Sequence, residues 1–568
     1  MKFKSLAIYL EQLEKTSSRN EITSILADLF AKSDKEEIEK IVYLVLGQLA
    51  PNYKGIVLNI AERMMWKILA QAYDTEEIKI KEMYKKEGDL GNVAYFLSQN
   101  SESSLSVVDV FNKLIEIAED GGSGSQERKV SMMAKLLGNL DKLSARYVAR
   151  IPVGKLRLGF SDMTILDALS VMTKGDKSDR KRIEEAFNVS VDIGKIARMV
   201  KSGKELHAEP VPGTPVRPSL AERLPSAEKI MEKVGTNVYV EPKYDGFRSQ
   251  VHIWKENGER KVAIFSRNME ATTQMFPDVV EYAKEIKVES AIFDAEAIGY
   301  DAKNDKFLPF QETIQRKRKH GIEEAAKTFP LKLFIFDILS KNGKNLMEKP
   351  FNERRKILES TVKENGNIFV TRQDTINKPD LIRDLVKKYL SEGLEGAMIK
   401  KIDAPYKAGG RGYHWVKYKK TTEKGLADTI DCLVLGVNKG KGKRSGFGAG
   451  AFLVGVRDGE KVLSVSKIGT GLTDEQWREL YLRSEKVKTK NKPKEYVVDK
   501  NLEPDTWIKP SIIVEILADE ITVSPIHTAK YALRFPRLIR FRDEKSVKDV
   551  TSLDELNKLF DMQKVLSK

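Results

Sequence analysis

From Met1 to about Ala208 the apolar residues recur at helical spacing. One segment can be read closely. Ser33 and Glu36 are spaced as a capping box. Ile38, Ile41, Val42, Val45 and Leu49 then mark one helix face, and Pro51 ends it. Similar faces recur in Ala61–Ala72, Val107–Ala118 and Met132–Leu140, without heptads or a fixed repeat. The pattern predicts an irregular all-α domain. Two glycine-and-basic stretches interrupt it, Gly121–Lys129 (GGSGSQERK) and Gly154–Phe160 (GKLRLGF). They read as connectors, or as loops whose backbone N–H groups and cations suit phosphate.

The Pro-rich run Glu209–Pro218 reads as a linker. After it the period shortens. VAIFS, AIFDAEAIGY and KLFIFDIL are strand-like, with helical stretches at Phe351–Glu359 and Pro379–Glu392, which predicts a mixed α/β domain. From about Lys420 the runs DCLVLGV, AFLVGVRDG, KVLSVSKIG and SIIVEILA alternate with turn signals and predict a small β-barrel. Ser552 and Glu555 are spaced to cap a closing helix. The expected domains are 1–212, 213–419 and 420–568, within a 568-residue chain that has room for several cores.

Composition narrows the function. No run of about 18 apolar residues is present, so no membrane span is expected, and Glu11 and Glu14 in the first apolar pattern argue against a signal peptide. One cysteine, Cys432, excludes an internal disulfide, and with five histidines it excludes a zinc framework. A reducing, intracellular compartment is the simplest reading. Lys and Arg exceed Asp and Glu by 98 to 83, a net charge of +15 that fits a Lys-biased surface or a polyanionic partner. Heavy use of Lys and Glu points to a thermophilic source.

The chemistry centres on Glu241-Pro242-Lys243-Tyr244-Asp245-Gly246-Phe247-Arg248, after the strand-like NVYV. As an isolated octapeptide it is equally a strand-to-turn junction. Other ionisable residues accompany it in β-type segments. Arg267 ends FSRN, and Asp294 and Glu296 alternate in FDAEA. Glu395 and Lys400 flank GAMI, Arg411 precedes Trp415, and Lys417 and Lys419 alternate in WVKYK. Charges inside apolar runs are unfavourable unless paired, so these are expected to line a common polar cleft.

In order, KYDG, FSRN, FDAEA, FIFD, EGAMIK, WVKYK and RFPRLIRFRDEK resemble the ATP-dependent DNA ligases, within the superfamily that includes RNA ligases and mRNA capping enzymes. The resemblance spans nearly the whole chain. It implies an all-α DNA-binding domain, an α/β nucleotidyltransferase (adenylation) domain and an OB-fold barrel. It implies that Lys243 attacks the α-phosphorus of ATP to form lysyl–AMP, that AMP passes to the 5′-phosphate at a nick, and that the 3′-hydroxyl displaces it. An ammonium cannot attack, so Lys243 must lose its proton, favoured by Lys400, Lys417, Lys419, Arg248 and a bound Mg²⁺ (or Mn²⁺).

By the same resemblance Glu241 accepts from the adenine amine, Phe336 stacks on the base, and Glu296 meets the ribose or the metal. Arg267 and Arg411 meet nucleotide or DNA phosphate, Glu395 ligates Mg²⁺, and Arg542 and Lys545 orient pyrophosphate. The implied partner is nicked double-stranded DNA in replication, repair and recombination. The implied state is a cytoplasmic, nucleoid-associated monomer whose binding is steeply salt-dependent. A sliding-clamp motif has no clear copy in SQNSESSLSVVDVF.

Two departures stand out: Thr421-Thr422-Glu423 where many relatives carry an acidic–aromatic pair, and Glu544 in place of a usual aspartate. RNA ligases and capping guanylyltransferases share the lysine chemistry but not the helical domain. A non-catalytic scaffold would be expected to have lost one of Lys243, Glu296, Glu395, Lys417 or Lys419. An NAD-dependent ligase would be expected to carry a cysteine cluster.

Overall fold

The computed structural model describes the chain except residues 155, 157, 207–208, 302, 305, 309, 319–320, 420–428, 441–447 and 566–568, and the side chains of 310–311 and 563–565. Thr421-Thr422-Glu423 and the loop cations Lys155 and Arg157 lie outside the described residues. The chain divides into two compact units. One holds Met1–Ala221, Asp245–Arg372 and Ile402–His414, and the other holds Glu222–Tyr244, Gln373–Lys401 and Trp415–Lys568.

In the first unit, helices follow one another from Phe3 to Lys201 around a single apolar core that draws on residues from Phe3 to Val200. Amphipathic spacing puts Leu6, Leu10 and Leu13 on one face of the Phe3–Lys15 helix, all buried. The fully buried Arg150 ties three helices together, pairing with Glu14 at 2.8 Å and Asp89 at 2.9 Å. No helix among the described residues is long and apolar enough to cross a membrane.

Three local expectations are corrected. Ser33 and Glu36 form no capping box. The Asp34 carboxylate, a stronger acceptor than a hydroxyl, takes the Glu36 and Glu37 N–H groups at 2.7 Å each, and Ser33 Oγ turns to the Phe30 carbonyl. The helix that follows is Ile38–Val45 and stops short of Leu49, where Gly47 adopts a positive φ. In Gly121–Lys129 only the glycine end is loop, because a helix begins at Ser125. Arg128 bonds the Gly121 and Ser123 carbonyls at 2.9 and 2.8 Å, and buried Lys129 bonds those of Leu58 and Ala118. Both cations serve their own backbone, as a connector requires.

The strands in chain order are β1 (Leu220–Arg223), β2 (Val238–Lys243), β3 (Phe247–Glu256), β4 (Glu259–Ser266), β5 (Ala291–Asp301), β6 (Lys306–Phe307), β7 (Leu331–Lys341), β8 (Lys344–Asn345), β9 (Ile368–Val370), β10 (Asp374–Ile376), β11 (Gly396–Lys401) and β12 (Arg411–Lys419). A seven-stranded sheet of order β4-β3-β5-β7-β8, with β6 on β5 and β9 on β7, belongs to the first unit. Its apolar face, with Val251, Ile253, Phe293, Ala295, Leu333 and Ile335, packs against the helices Pro277–Glu285 and Phe351–Thr361. A five-stranded sheet has the order β1-β12-β11-β2-β10, and its β2, β10 and β11 lie in the second unit.

The second unit continues with β13 (Ile430–Lys439), β14 (Ala449–Asp458), β15 (Lys461–Ile468), β16 (Lys488–Thr489), β17 (Tyr496–Val497), β18 (Thr506–Ile508), β19 (Ile513–Leu517), β20 (Glu520–Val523), β21 (Tyr531–Arg534) and β22 (Arg537–Phe541). Eight of these strands form one sheet in which β13 pairs with β14, β18 and β19, and β19 pairs with β22. The lone Cys432 is buried in its core. The Ser552/Glu555 capping box is present, with Glu555 N–H on Ser552 Oγ at 3.2 Å and Ser552 N–H on Glu555 Oε2 at 2.7 Å.

The Pro-rich run Glu209–Pro218 is not a loose linker along its second half. Gly213 N–H donates to His252 Nδ1 (3.1 Å), and Val216 exchanges two bonds with the Gln250 side chain (2.7 and 3.0 Å). Arg217 N–H donates to the Asn188 carbonyl (2.8 Å). Proline removes donors from the segment and disfavours helix, so most of the remaining N–H groups are satisfied by tertiary partners, with one local turn from Thr214 N–H to the Val211 carbonyl (3.0 Å).

His252 Nδ1 therefore accepts, and Nε2 donates to Gln250 Oε1 at 3.0 Å. Complete burial pushes its pKa down to about 3. The unfolded chain binds this proton below about pH 6.5 and the folded chain does not. Stability is thus fully present above that pH and drains as pH falls towards 3. Between pH 7 and 5 chemical denaturation should register a loss of roughly 2 kcal/mol from this residue. His252→Asn can accept from Gly213 without titrating and should flatten that part of the slope. An unchanged slope would remove His252 as the cause.

Candidate functional site

The residues singled out by sequence fall on two sheets. In the five-stranded sheet, β11 lies antiparallel between β2 and β12. Its register sets Gly396 opposite Lys243 and Lys419, Met398 opposite Glu241 and Lys417, and Lys400 opposite Tyr239 and Trp415. Directly opposed residues share a face. One face therefore carries Tyr239, Glu241 and Lys243 from β2, Met398 and Lys400 from β11, and Trp415, Lys417 and Lys419 from β12. The charged positions that looked scattered along the sequence become one patch through strand alternation together with the pairing of these three strands.

Glu395, just before β11, forms ion pairs with both Lys243 and Lys419. Its own N–H donates to the Lys243 carbonyl at 2.9 Å, which locks it to the end of β2. Gly396 beside it has φ +142°, and a Cβ there would lie 2.4 Å from the Tyr418 carbonyl, so only glycine allows this approach. Lys243 and Glu395 are each about one-quarter exposed, within reach of a ligand. Glu241 and Lys400 are almost completely buried and pair at 2.7 Å, with the Lys400 ammonium 4.7 Å from the centre of the Trp415 ring. Gln373 Nε2 donates to the other oxygen of Glu241 at 2.9 Å.

The polar face of the seven-stranded sheet carries the second group. Arg248 on β3 is opposite Glu296 on β5, and Gln250 is opposite Asp294. Asp294 is fully buried and takes Arg248 side-on, with Nε to Oδ1 at 3.0 Å, and also accepts from Tyr406 at 2.8 Å. Burial and this carboxylate together raise the Tyr406 pKa well above its usual value. Asp294 thus aims Arg248, and Glu296, half-buried two residues on, shares its face.

Phe336 sits where β7 breaks register with β5, between the pairs Asp294–Asp337 and Ala295–Ile335. The extra residue of such a bulge is turned from the regular alternation, and here the ring comes 5.4 Å from the Arg248 guanidinium. Behind it Asp337 is fully buried and bonded by Arg354 at 2.8 and 2.9 Å. Gly246, which closes KYDG, lies against β5, where a Cβ would be 2.3 Å from the Ala297 carbonyl. Arg267 is exposed just after β4, and Arg411 is exposed at the start of β12.

Arg542 and Lys545 are turned onto the C-terminal sheet itself. Arg542 pairs with Glu515 (3.0 Å), Asp431 (3.2 Å) and Glu544 (2.6 Å), and Lys545 pairs with Asp431 (2.6 Å). The Glu515 carboxyl is held down to about 2, chiefly by its bond to Arg540. RFRDEK is therefore a paired charge cluster rather than a solvated run, and Glu544, the departure from the family pattern, bonds Arg542 within it.

Sequence reasoning missed Gln373, Met398, Tyr406 and Arg354. Met398 alternates with Lys400 in GAMIK and could have been found by its period. The other three join the site through tertiary contacts.

Each group suits part of a nucleotide: the five-stranded sheet offers clustered ammonium groups for phosphate and a buried carboxylate acceptor, and the seven-stranded sheet offers an aromatic ring beside an arginine. Among the described residues no group of three or more His, Cys, Asp or Glu side chains is placed to hold a metal ion. Glu395 fits a hard divalent cation that takes most of its oxygens from phosphate and water.

Three family profiles match the chain: DNA ligase N terminus over 2–170, ATP dependent DNA ligase domain over 218–419, and ATP dependent DNA ligase C terminal region over 444–545. The chain is 43% identical to a probable DNA ligase of Dictyoglomus turgidum over 580 residues, covering 99% of this chain and 98% of that one. It is 38% identical to a DNA ligase of Saccharolobus solfataricus over 593 residues, with the same coverage of both. The solved structure titled Pmar-Lig_PreS3 covers 94% of this chain and 99% of its own, with a TM-score of 0.55 at 19% identity, a likeness of fold.

Proposed function

The chain belongs to the ATP-dependent DNA ligase family, and from that premise we propose that it seals nicks in duplex DNA through a lysyl–AMP intermediate on Lys243. The observation that carries the proposal is the register of β2, β11 and β12, which sets Lys243 on one face with Glu241, Lys400, Lys417 and Lys419, and Glu395 at its end.

Lys243 Nζ, once deprotonated, attacks the α-phosphorus of ATP. The P–N bond forms as the bond to the bridging oxygen breaks, and pyrophosphate leaves with that electron pair. Lys417 and Lys419 offset charge on the phosphoryl oxygens. Glu395 would hold the divalent cation, Mg²⁺ or Mn²⁺, which supplies further charge neutralisation there. Arg248 and Glu296 take the sugar and phosphates, Phe336 the face of the base, and Glu241 its amine. Arg267 and Arg411, both exposed, take DNA phosphate or nucleotide. Arg542 and Lys545 orient pyrophosphate after leaving their pairs with Asp431 and Glu515.

AMP then passes to the 5′-phosphate at the nick, and the 3′-hydroxyl displaces it. We further propose the segments 1–212, 213–419 and 420–568 as DNA-binding, nucleotidyltransferase and OB-fold domains. The protein acts as a monomer in replication, repair and recombination. The net charge of +15 supports a phosphate-tracking grip on DNA.

The test is to incubate the protein with Mg²⁺ and either ATP or GTP, weigh the intact chain and map any adduct. AMP on Lys243, discharged by nicked DNA, is the expected result. A GMP adduct would move the reading to capping chemistry. No adduct on protein shown not to be already adenylated would overturn it.

A further inference from the structure

Glu241 is gripped at both ends of its carboxylate. Lys400 Nζ lies 2.7 Å from Oε2, and Gln373 Nε2 lies 2.9 Å from Oε1. The two donors come from opposite sides of β2. Lys400 is on β11. Gln373 immediately precedes β10, whose pairing of Asp374 with Val240 places Gln373 beside Glu241. An ionised carboxylate only accepts, so the Gln373 amide must present its nitrogen and not its oxygen.

The two grips differ in consequence. Lys400 brings a positive charge to Glu241. The neutral Gln373 amide adds little to the charge. It fixes the terminal torsion of Glu241, which is otherwise broad, and so fixes the plane in which the carboxylate lone pairs point. A carboxylate can accept about four hydrogen bonds, so a ligand donor can be added to these two. Such an acceptor favours a purine with an amino group at C6 and opposes one with a carbonyl there.

We propose that Gln373 is a positioning residue for nucleotide choice: it aims Glu241 at the 6-amino group of ATP and thereby sets the preference for adenine. This rests on the proposed nucleotide role of Glu241. Its effect belongs to binding of one functional group and not to the attack by Lys243.

The experiment measures protein–nucleotide adduct formation by the full-length chain in single turnover. It compares ATP with purine riboside triphosphate, which lacks the 6-amino group. The proteins are the wild type, Gln373→Leu, Gln373→Met and Glu241→Gln. In both Gln373 variants the half-saturating ATP concentration should rise about 10-fold, the scale of one hydrogen bond to a charged group. Their maximal rate should be nearly unchanged, and their use of the 6-deamino analogue should match the wild type. An equal loss on both nucleotides, or no change on ATP, overturns the proposal. Glu241→Gln separates it from its premise. If that variant discriminates the two nucleotides as the wild type does, the role of Glu241 itself is wrong. If it loses discrimination while the Gln373 variants keep it, only the role of Gln373 is wrong.

Discussion

Lys243→Ala is expected to form no AMP adduct and to seal ordinary nicks at a rate lower by on the order of 10⁴-fold or more, the scale of removing a covalent nucleophile. Neighbouring lysines do not replace it. Lys419 pairs with the other oxygen of the Glu395 carboxylate, so its ammonium occupies a different position from that of Lys243. Catalysis by positioning needs reacting atoms within about 3.5 Å. The fold should survive, since the Lys243 side chain is partly exposed and Glu395 keeps its ion pair with Lys419. The variant should still join a nick that already carries AMP on its 5′-phosphate, because the lysine's work is then done. Intact-mass measurement and a joining assay on the two substrates read both halves. An adduct on the alanine variant would assign the nucleophile elsewhere.

Arg354→Met is expected to destabilise the first unit by about 3–5 kcal/mol, the usual consequence of leaving one member of a buried ion pair alone. Arg354 and Asp337 are both fully buried and joined by two bonds of 2.8 and 2.9 Å. Arg354 also donates to the carbonyls of Lys349 and Ala404, which would lose that donor. Hydrogen exchange of the β5 and β7 amides should report the loss locally. Asp337 adjoins the bulged Phe336, so the concentration of ATP needed for adduct formation should rise too. Arg354→Met with Asp337→Leu removes both charges and should recover most of the stability. If the double variant is as unstable as the single one, packing and not the unpaired carboxylate is responsible.

Much of the candidate site was legible in the chain because β-strands alternate. Glu241 and Lys243, Asp294 and Glu296, and Lys417 and Lys419 are each two apart, so each pair must share a face wherever its strand goes. Gly246 in KYDG abuts the Ala297 carbonyl, where a Cβ would not fit. Gln373 was not legible. It stands outside any apolar run, and only the antiparallel pairing of β10 with β2 brings it to Glu241. Nor was the fate of Arg542 and Lys545, since a run of charges does not say which carboxylates will face it.

The sequence by itself determined the helical first 200 residues, the strand-rich remainder and the family. These rest on periodicity and on local motifs, which are properties of neighbours along the chain. The Pro-rich run shows the limit. Its prolines made it extended, but only the tertiary structure decided that His252, Gln250 and Asn188 would hold it down. The bulge that turns Phe336 and the double grip on Glu241 are of the same kind. Each depends on strand register, and register is set by which apolar faces pack together across the whole sheet rather than by the residues that use it.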